Sequence, residues 1–308
     1  MQLLRFLFLV AGLVLPISLG AADAPAVEAG AVHGDTHATA APHGLTPAAV
    51  DLWEGVPITN SMVVTWAVAL GLIVFARFAT RKIQVVPSGL QNFWEWLVES
   101  LHDFLEGIIG HELVKKTFWF FATIFIFILF ANWLGLIPGV GTIGWGVKTD
   151  HGMHISQPLL RGANADLNMT LAMAVIFFIC WTVWALQANG PGGFILHIFG
   201  PKGETTGLLK VLMILVFIVV GLLEVVSILF RPVSLSFRLY GNIFAGENML
   251  ESMARLVPGW LGSIIIPIPF YFLEVLVGLV QALVFMLLTA VFTLLICTHE
   301  EGHEKAHH

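Results

Sequence analysis

Residues 208–256 read LLKVLMILVFIVVGLLEVVSILFRPVSLSFRLYGNIFAGENMLESMARL, an almost unbroken apolar run around the string Ser234-Leu-Ser-Phe-Arg238-Leu-Tyr-Gly-Asn242. As one helix the run measures about 70 Å, more than twice the roughly 30 Å of a bilayer's hydrocarbon core. Either it crosses steeply tilted, or it breaks at Arg231-Pro232 into two spans. Proline bends a helix. No Gly/Ser/Asn loop surrounds Pro232, which favours one bent and tilted helix. A guanidinium at membrane depth costs on the order of 3 kcal/mol or more, and arginine cannot escape by losing its proton. No acid lies within one helical turn of Arg238. Its counter-charge is therefore expected on another helix or another subunit, as in an ion path.

The same pattern recurs on both sides. Ser61–Phe78, Thr117–Ile137, Asn168–Ala188 and Trp260–Cys297 are further apolar elements. The 308 residues are 57% hydrophobic and 11% charged, too apolar for a soluble core of this size. The chain reads as an all-α polytopic membrane protein with about five membrane helices, the last two long and steeply tilted as a hairpin. Between the first two crossings, Leu90, Phe93, Trp94, Leu97, Leu101, Leu105 and Ile108 recur at helical spacing. Gln91, Glu95, Glu99, Asp103 and Glu106 occupy the other face, so an amphipathic surface helix is expected there. Its acidic face suits neighbouring protein better than anionic lipid.

Basic residues give an orientation. Arg77, Arg81, Lys82, Lys115, Lys116, Lys202, Lys210 and Lys305 fall on one side of a five-crossing path, and only Lys148 and Arg161 on the other. The first set marks the cytoplasm, which places the N-terminus outside and the C-terminus inside. Arg5, the short apolar core Phe6–Leu19 and the small residues that follow give residues 1–22 the layout of a secretory signal peptide. An uncleaved first anchor is the alternative. Residues 23–56 read as a flexible exported segment, 57–298 as the membrane domain and 299–308 as a His/Glu-rich cytoplasmic tail. His299, His303 and His307 could ligate a metal on a helix, but mixed charged tails are usually solvated, and no metal site is expected. A net charge of −6 without a basic stripe argues against nucleic acid. The two cysteines lie in apolar runs and make no disulfide framework, and no nucleotide-binding loop or other cofactor pattern occurs.

Glu224, Arg231 and Arg238 recur every seven residues, nearly two turns, and so share a slowly drifting stripe. Asn242 continues it, and Glu247 lies about 14 Å beyond Arg238 along the axis. Ser234, Ser236, Gly241, Ala245 and Gly246 are small and would admit a close helix. On the final element Glu274 and Gln281 share a face. In an antiparallel hairpin Glu274 approaches Glu247, and Gln281 approaches Arg238. Acids near both surfaces with an arginine between them describe a divided proton route. Glu224 could also serve as a structural partner for Arg231.

Four strings resemble subunit a of the F-type ATP synthase. Ser234-Leu-Ser-Phe-Arg-Leu-Tyr-Gly-Asn-Ile-Phe-Ala-Gly-Glu247 is similar to the family's arginine motif. Asn132-Trp-Leu-Gly-Leu-Ile-Pro-Gly139 is similar to the end of its second crossing, and Ala165-Asp-Leu-Asn-Met-Thr-Leu-Ala172 to the start of its third. Gln281-Ala-Leu-Val-Phe-Met-Leu-Leu-Thr289 resembles its last helix. The resemblance spans about residues 60 to 298 and implies a membrane stator against a rotating ring of c subunits, each with one carboxylate. By that likeness Arg238 is the essential ring-facing cation, flanked by Gln281 and Asn242. Glu247 and Glu274 match the outer half-channel, with Asp166 and Asn168 near its entrance, and Glu224 matches the inner one. Both outer positions are Glu here, which implies an acid pair that titrates as a unit. Implied partners are the c ring, b-type peripheral stalk subunits, the rest of the synthase and membrane lipid, in a bacterial inner membrane. The residues alone also leave open an independent cation transporter or channel, and a membrane scaffold with buried ion pairs.

Overall fold

The computed structural model describes residues 51–53, 56–81, 83–137, 144–149, 152–199, 208–256 and 265–297. The segments read as signal peptide and His-rich tail lie outside the described residues. So does the exported stretch up to residue 50. Among the described residues there are six long helices: α1 Asn60–Ala79, α2 Leu90–Ile109, α3 His111–Gly135, α4 Leu167–Phe199, α5 Leu208–Leu256 and α6 Pro267–Cys297. All but α2 are long and apolar enough to cross a membrane. The chain is an all-α polytopic membrane protein.

Each boundary has a local cause. α1 starts at Thr59, whose hydroxyl accepts the Met62 amide, and ends at Thr80, whose hydroxyl donates to the Ala76 carbonyl. α2 and α3 meet at Gly110, which holds φ at 79° and serves both helix ends. Two short antiparallel hairpins, absent from the helical reading, lie between the helices. β1 Asp51–Trp53 pairs with β2 Val56–Thr59, and β3 Gly144–Thr149 with β4 Gly152–Pro158. The first straddles the boundary that composition draws at residue 56. A 3-10 turn, Ala163–Ala165, precedes α4.

α3 is the central helix: 67% of its most apolar stretch is buried, against 17% for α5. Phe120, Phe121, Phe177 and Trp184 join α3 to α4 through edge-on and tilted rings. On α2 the buried face is Leu101, Leu105 and Ile109, whereas Leu90 and Phe93 are exposed. Gln91 departs from its expected place on the polar face. It is buried because its amide bonds both backbone groups of Gln84 and the Glu95 carboxylate, stapling the preceding loop.

Cross-helix contacts establish an alternating path. Ser61 at the start of α1 donates to Asp166 at the start of α4, 2.7 Å away. Asn132 near the end of α3 donates to the Gly278 carbonyl of α6. Asn189 near the far end of α4 donates to the Ile296 carbonyl at the far end of α6. These bonds put the α1, α4 and α6 starts and the α3 end on one side of the bundle.

α4 runs past its expected end, whereas α5 keeps the expected bounds. The apolar pattern ends at Ala188, yet helix resumes beyond a kink at Gly190 (φ 67°) and runs on to Phe199. This extension folds over α5, where the Ile198 carbonyl would lie 2.8 Å from a Cβ placed on Gly221. Gly221→Ala is expected to cost about 1–3 kcal/mol by overpacking against that carbonyl and the Phe199 ring. A lowered thermal midpoint of the detergent-solubilised complex checks this; an unchanged midpoint contradicts it. At Pro232 the favoured alternative holds, and the helix does not break. α5 continues through the proline as one helix of 49 residues, too long to stand upright in a bilayer.

Candidate functional site

The polar residues of α5 and α6 fall into three groups along the hairpin. Two contacts set the register: a Cβ on Gly246 would overlap the Glu274 carboxylate, and the Arg231 guanidinium lies 4.6 Å from the Phe292 ring centroid. Arg238 lies between them, level with residues 282–285 of α6, the next turn from Gln281. The hairpin therefore brings Gln281 near the level of Arg238 and Glu274 beside Gly246.

At the middle, Arg238 is exposed on the bundle surface and joins no ion pair among the described residues. It shares a stripe with Ser234, Gly241 and Ala245, spaced four, three and four residues apart. Ser234 and Ala245 are exposed, Gly241 has open space around its Cα, and Phe237 beside them is 54% exposed. The arginine thus stands in a row of small side chains on the least covered helix. Asn242 and Gln281 are half-buried nearby.

Toward the α5 start, Arg231 is held by its surroundings. Its guanidinium stacks over Trp181 of α4 and Phe292 of α6 and reaches Glu224 at 3.9 Å. Trp181 is fixed in turn by donating its indole N–H to the Phe292 carbonyl. Glu224 itself is exposed.

Toward the α5 end, the loop before α4 enters the site. Arg161 is 5% exposed and places Nη2 3.5 Å from Glu247 Oε2. Glu274 is also buried, yet no hydrogen bond joins it to Glu247 among the described residues. Glu247 turns to the loop, and Glu274 lies against the α5 backbone at Gly246. Asp166 accepts from the Ser61 hydroxyl and, at 2.9 Å, from the Asn168 amide, an arrangement that also caps α4. The Asn168 side chain is exposed. Asn164 donates to Asn132 at 2.6 Å, which locks the loop to α3.

The sequence profile of the ATP synthase A chain family matches residues 62–293, which covers all of these residues except Ser61. The chain belongs to the ATP synthase A chain family. It is 34% identical over 241 residues to the ATP synthase subunit a of Gloeobacter violaceus, covering 77% of this chain and 85% of that protein. It is 32% identical over 228 residues to the subunit a of Helicobacter hepaticus, with 74% and 85% covered. For the Campylobacter jejuni subunit a the identity is 33% over 237 residues, with 77% and 89% covered. As a member of the ATP synthase A chain family, the chain is a multi-pass membrane protein.

Two features of this A chain escape a reading along single helices. Arg161 looks like an ordinary loop cation, because its acid partner, Glu247, is 86 positions away in the sequence. Its one local signal is the compact string Arg161-Gly-Ala-Asn-Ala-Asp166, whose small residues permit close packing. The aromatic seat of Arg231 is likewise built from three helices. Among the described residues, His102, Asp103 and Glu106 bring possible ligand atoms within 4.8 Å on α2. Asp103 is exposed, and such sets commonly exist without an ion.

Proposed function

We propose that this chain is the stationary proton-conducting subunit of the membrane sector of an F-type ATP synthase. It would work in a bacterial inner membrane against a rotating ring of carboxylate-bearing c subunits, with b-type stalk subunits holding it still. The observation that carries this reading is Arg238, exposed and without an ion pair among the described residues, on a small-residue stripe of the least covered membrane-length helix. A cation at that depth needs a mate, and the stripe admits a close neighbouring helix.

The mechanism follows from electrostatics. A ring carboxylate arriving opposite Arg238 is stabilised as the anion and gives up its proton. The same fixed cation opposes a proton charge moving straight past it. Protons therefore enter by one path, ride the ring and leave by the other. Glu247 and Glu274 serve the outer path, with Asp166 and Asn168 at its entrance, and Glu224 serves the inner one. Gln281 and Asn242 flank the exchange point with neutral hydrogen-bonding groups. Nucleotide chemistry belongs to other subunits.

Cysteine cross-linking in native membranes tests the ring interface. Phe237→Cys on the exposed stripe is expected to cross-link to a small ring subunit carrying a cysteine at matching depth. Thr293→Cys, at a buried position of α6, is expected to remain uncross-linked. Equal yields at both positions, or none at Phe237, would overturn the assigned face.

A further inference from the structure

Arg161 and Asp166 stand five positions apart in one buried loop and are treated very differently by their surroundings. Asp166 is well supplied, with a hydroxyl on one oxygen and an amide on the other. Arg161 is not: among the described residues its buried Nε and Nη2 make no well-formed hydrogen bond. Its hold on Glu247 is a single 3.5 Å approach rather than a two-pronged fork. Buried ion pairs that serve only architecture need close geometry and satisfied donors to offset desolvation. This pair has charge complementarity without that full set of bonds, so it can open.

We propose that Arg161 is the positioning cation of the outer proton path, a latch that draws the Glu247 carboxylate toward the loop. Proton uptake at Glu247 weakens the latch, and proton release restores it. Among the described residues, Glu251 on the same helix also acts on Glu247, and Glu274 of α6 lies against the neighbouring Gly246. Both are acids, and among the described residues Arg161 is the cation that pairs with this carboxylate. Gly162 completes the latch. A Cβ there would lie 2.7 Å from Glu247 Oε1, so only glycine lets the carboxylate reach its place.

The inference rests on the reading of Glu247 as a proton-path residue, and the test separates the two. Passive proton flux is measured in F1-stripped inverted vesicles at varied lumenal pH and normalised to assembled complex. Without Arg161 the proton binds Glu247 more tightly. Arg161→Gln is therefore expected to move the lumenal pH of half-maximal flux upward by about one unit, a tenfold change in proton affinity. Arg161→Lys retains the charge and should move it by much less. Gly162→Ala keeps both charges but displaces the carboxylate, and should shift the midpoint in the same direction as Arg161→Gln. Should Arg161→Gln fail to assemble, Gly162→Ala decides alone. If Glu247→Gln blocks flux while these variants leave the midpoint in place, the latch is overturned. An equal shift from Arg161→Lys and Arg161→Gln overturns it as well. If Glu247→Gln itself leaves flux unchanged, the proton-path reading fails instead.

Discussion

Arg238→Ala is expected to reduce ATP-driven proton pumping by about a hundredfold or more, a loss typical of removing a preorganised charge from a reacting site. The chain should still insert and assemble, because Arg238 is exposed and anchors no ion pair within the described residues. Exposed substitutions away from packed features usually change stability by only about 0.5 kcal/mol. Arg238→Lys should also be severely impaired. Lysine is a point charge that can lose its proton, whereas arginine keeps its charge and offers a planar set of donors. The readout is acidification of inverted vesicles on ATP addition, with complex levels matched. Normal acidification by Arg238→Ala would refute the role given to this residue.

The second large effect is expected at Glu274. Its side chain is buried at 5% exposure and its carboxylate sits against Gly246, where no larger residue would fit. Glu274→Gln preserves shape and removes the exchangeable acid. Passive flux entering from the outer side should fall by about a hundredfold, the low end of what one positioned proton-transfer group contributes. Assembly should change little, since the glutamine occupies the same space. Flux equal to that of the unaltered complex would exclude Glu274 from the path. The corresponding substitution Glu224→Gln should instead alter the dependence on cytoplasmic pH, because Glu224 lies toward the opposite end of α5 and is exposed.

How much of this is written in linear sequence depends on the range of each interaction. Apolar runs and the amphipathic spacing of residues 90–108 are local signals, and they lead directly to six helices. Pro232 is ambiguous locally, since a proline is compatible with either a bend or a break. Packing of α5 against α4 and α6 decides for continuity. Gly190 and Gly221 mark a kink and a close helix crossing, and neither consequence follows from a glycine alone. Charge stripes are also local: Glu224, Arg231 and Arg238 announce themselves by spacing. The partnerships are not. Arg161 with Glu247, and Arg231 with Trp181 and Phe292, join residues from different elements, so only the folded chain reveals them. The backbone hairpin β3–β4 lacks the strong alternation that would distinguish it from a loop.

The most direct measurement is a density map of the intact complex in lipid, resolving Arg238 and its neighbours. The account predicts the guanidinium inside the hydrocarbon zone, facing a ring-subunit carboxylate across the Ser234–Ala245 stripe. A guanidinium at the lipid surface, or one bound to an acid of its own chain, would contradict it.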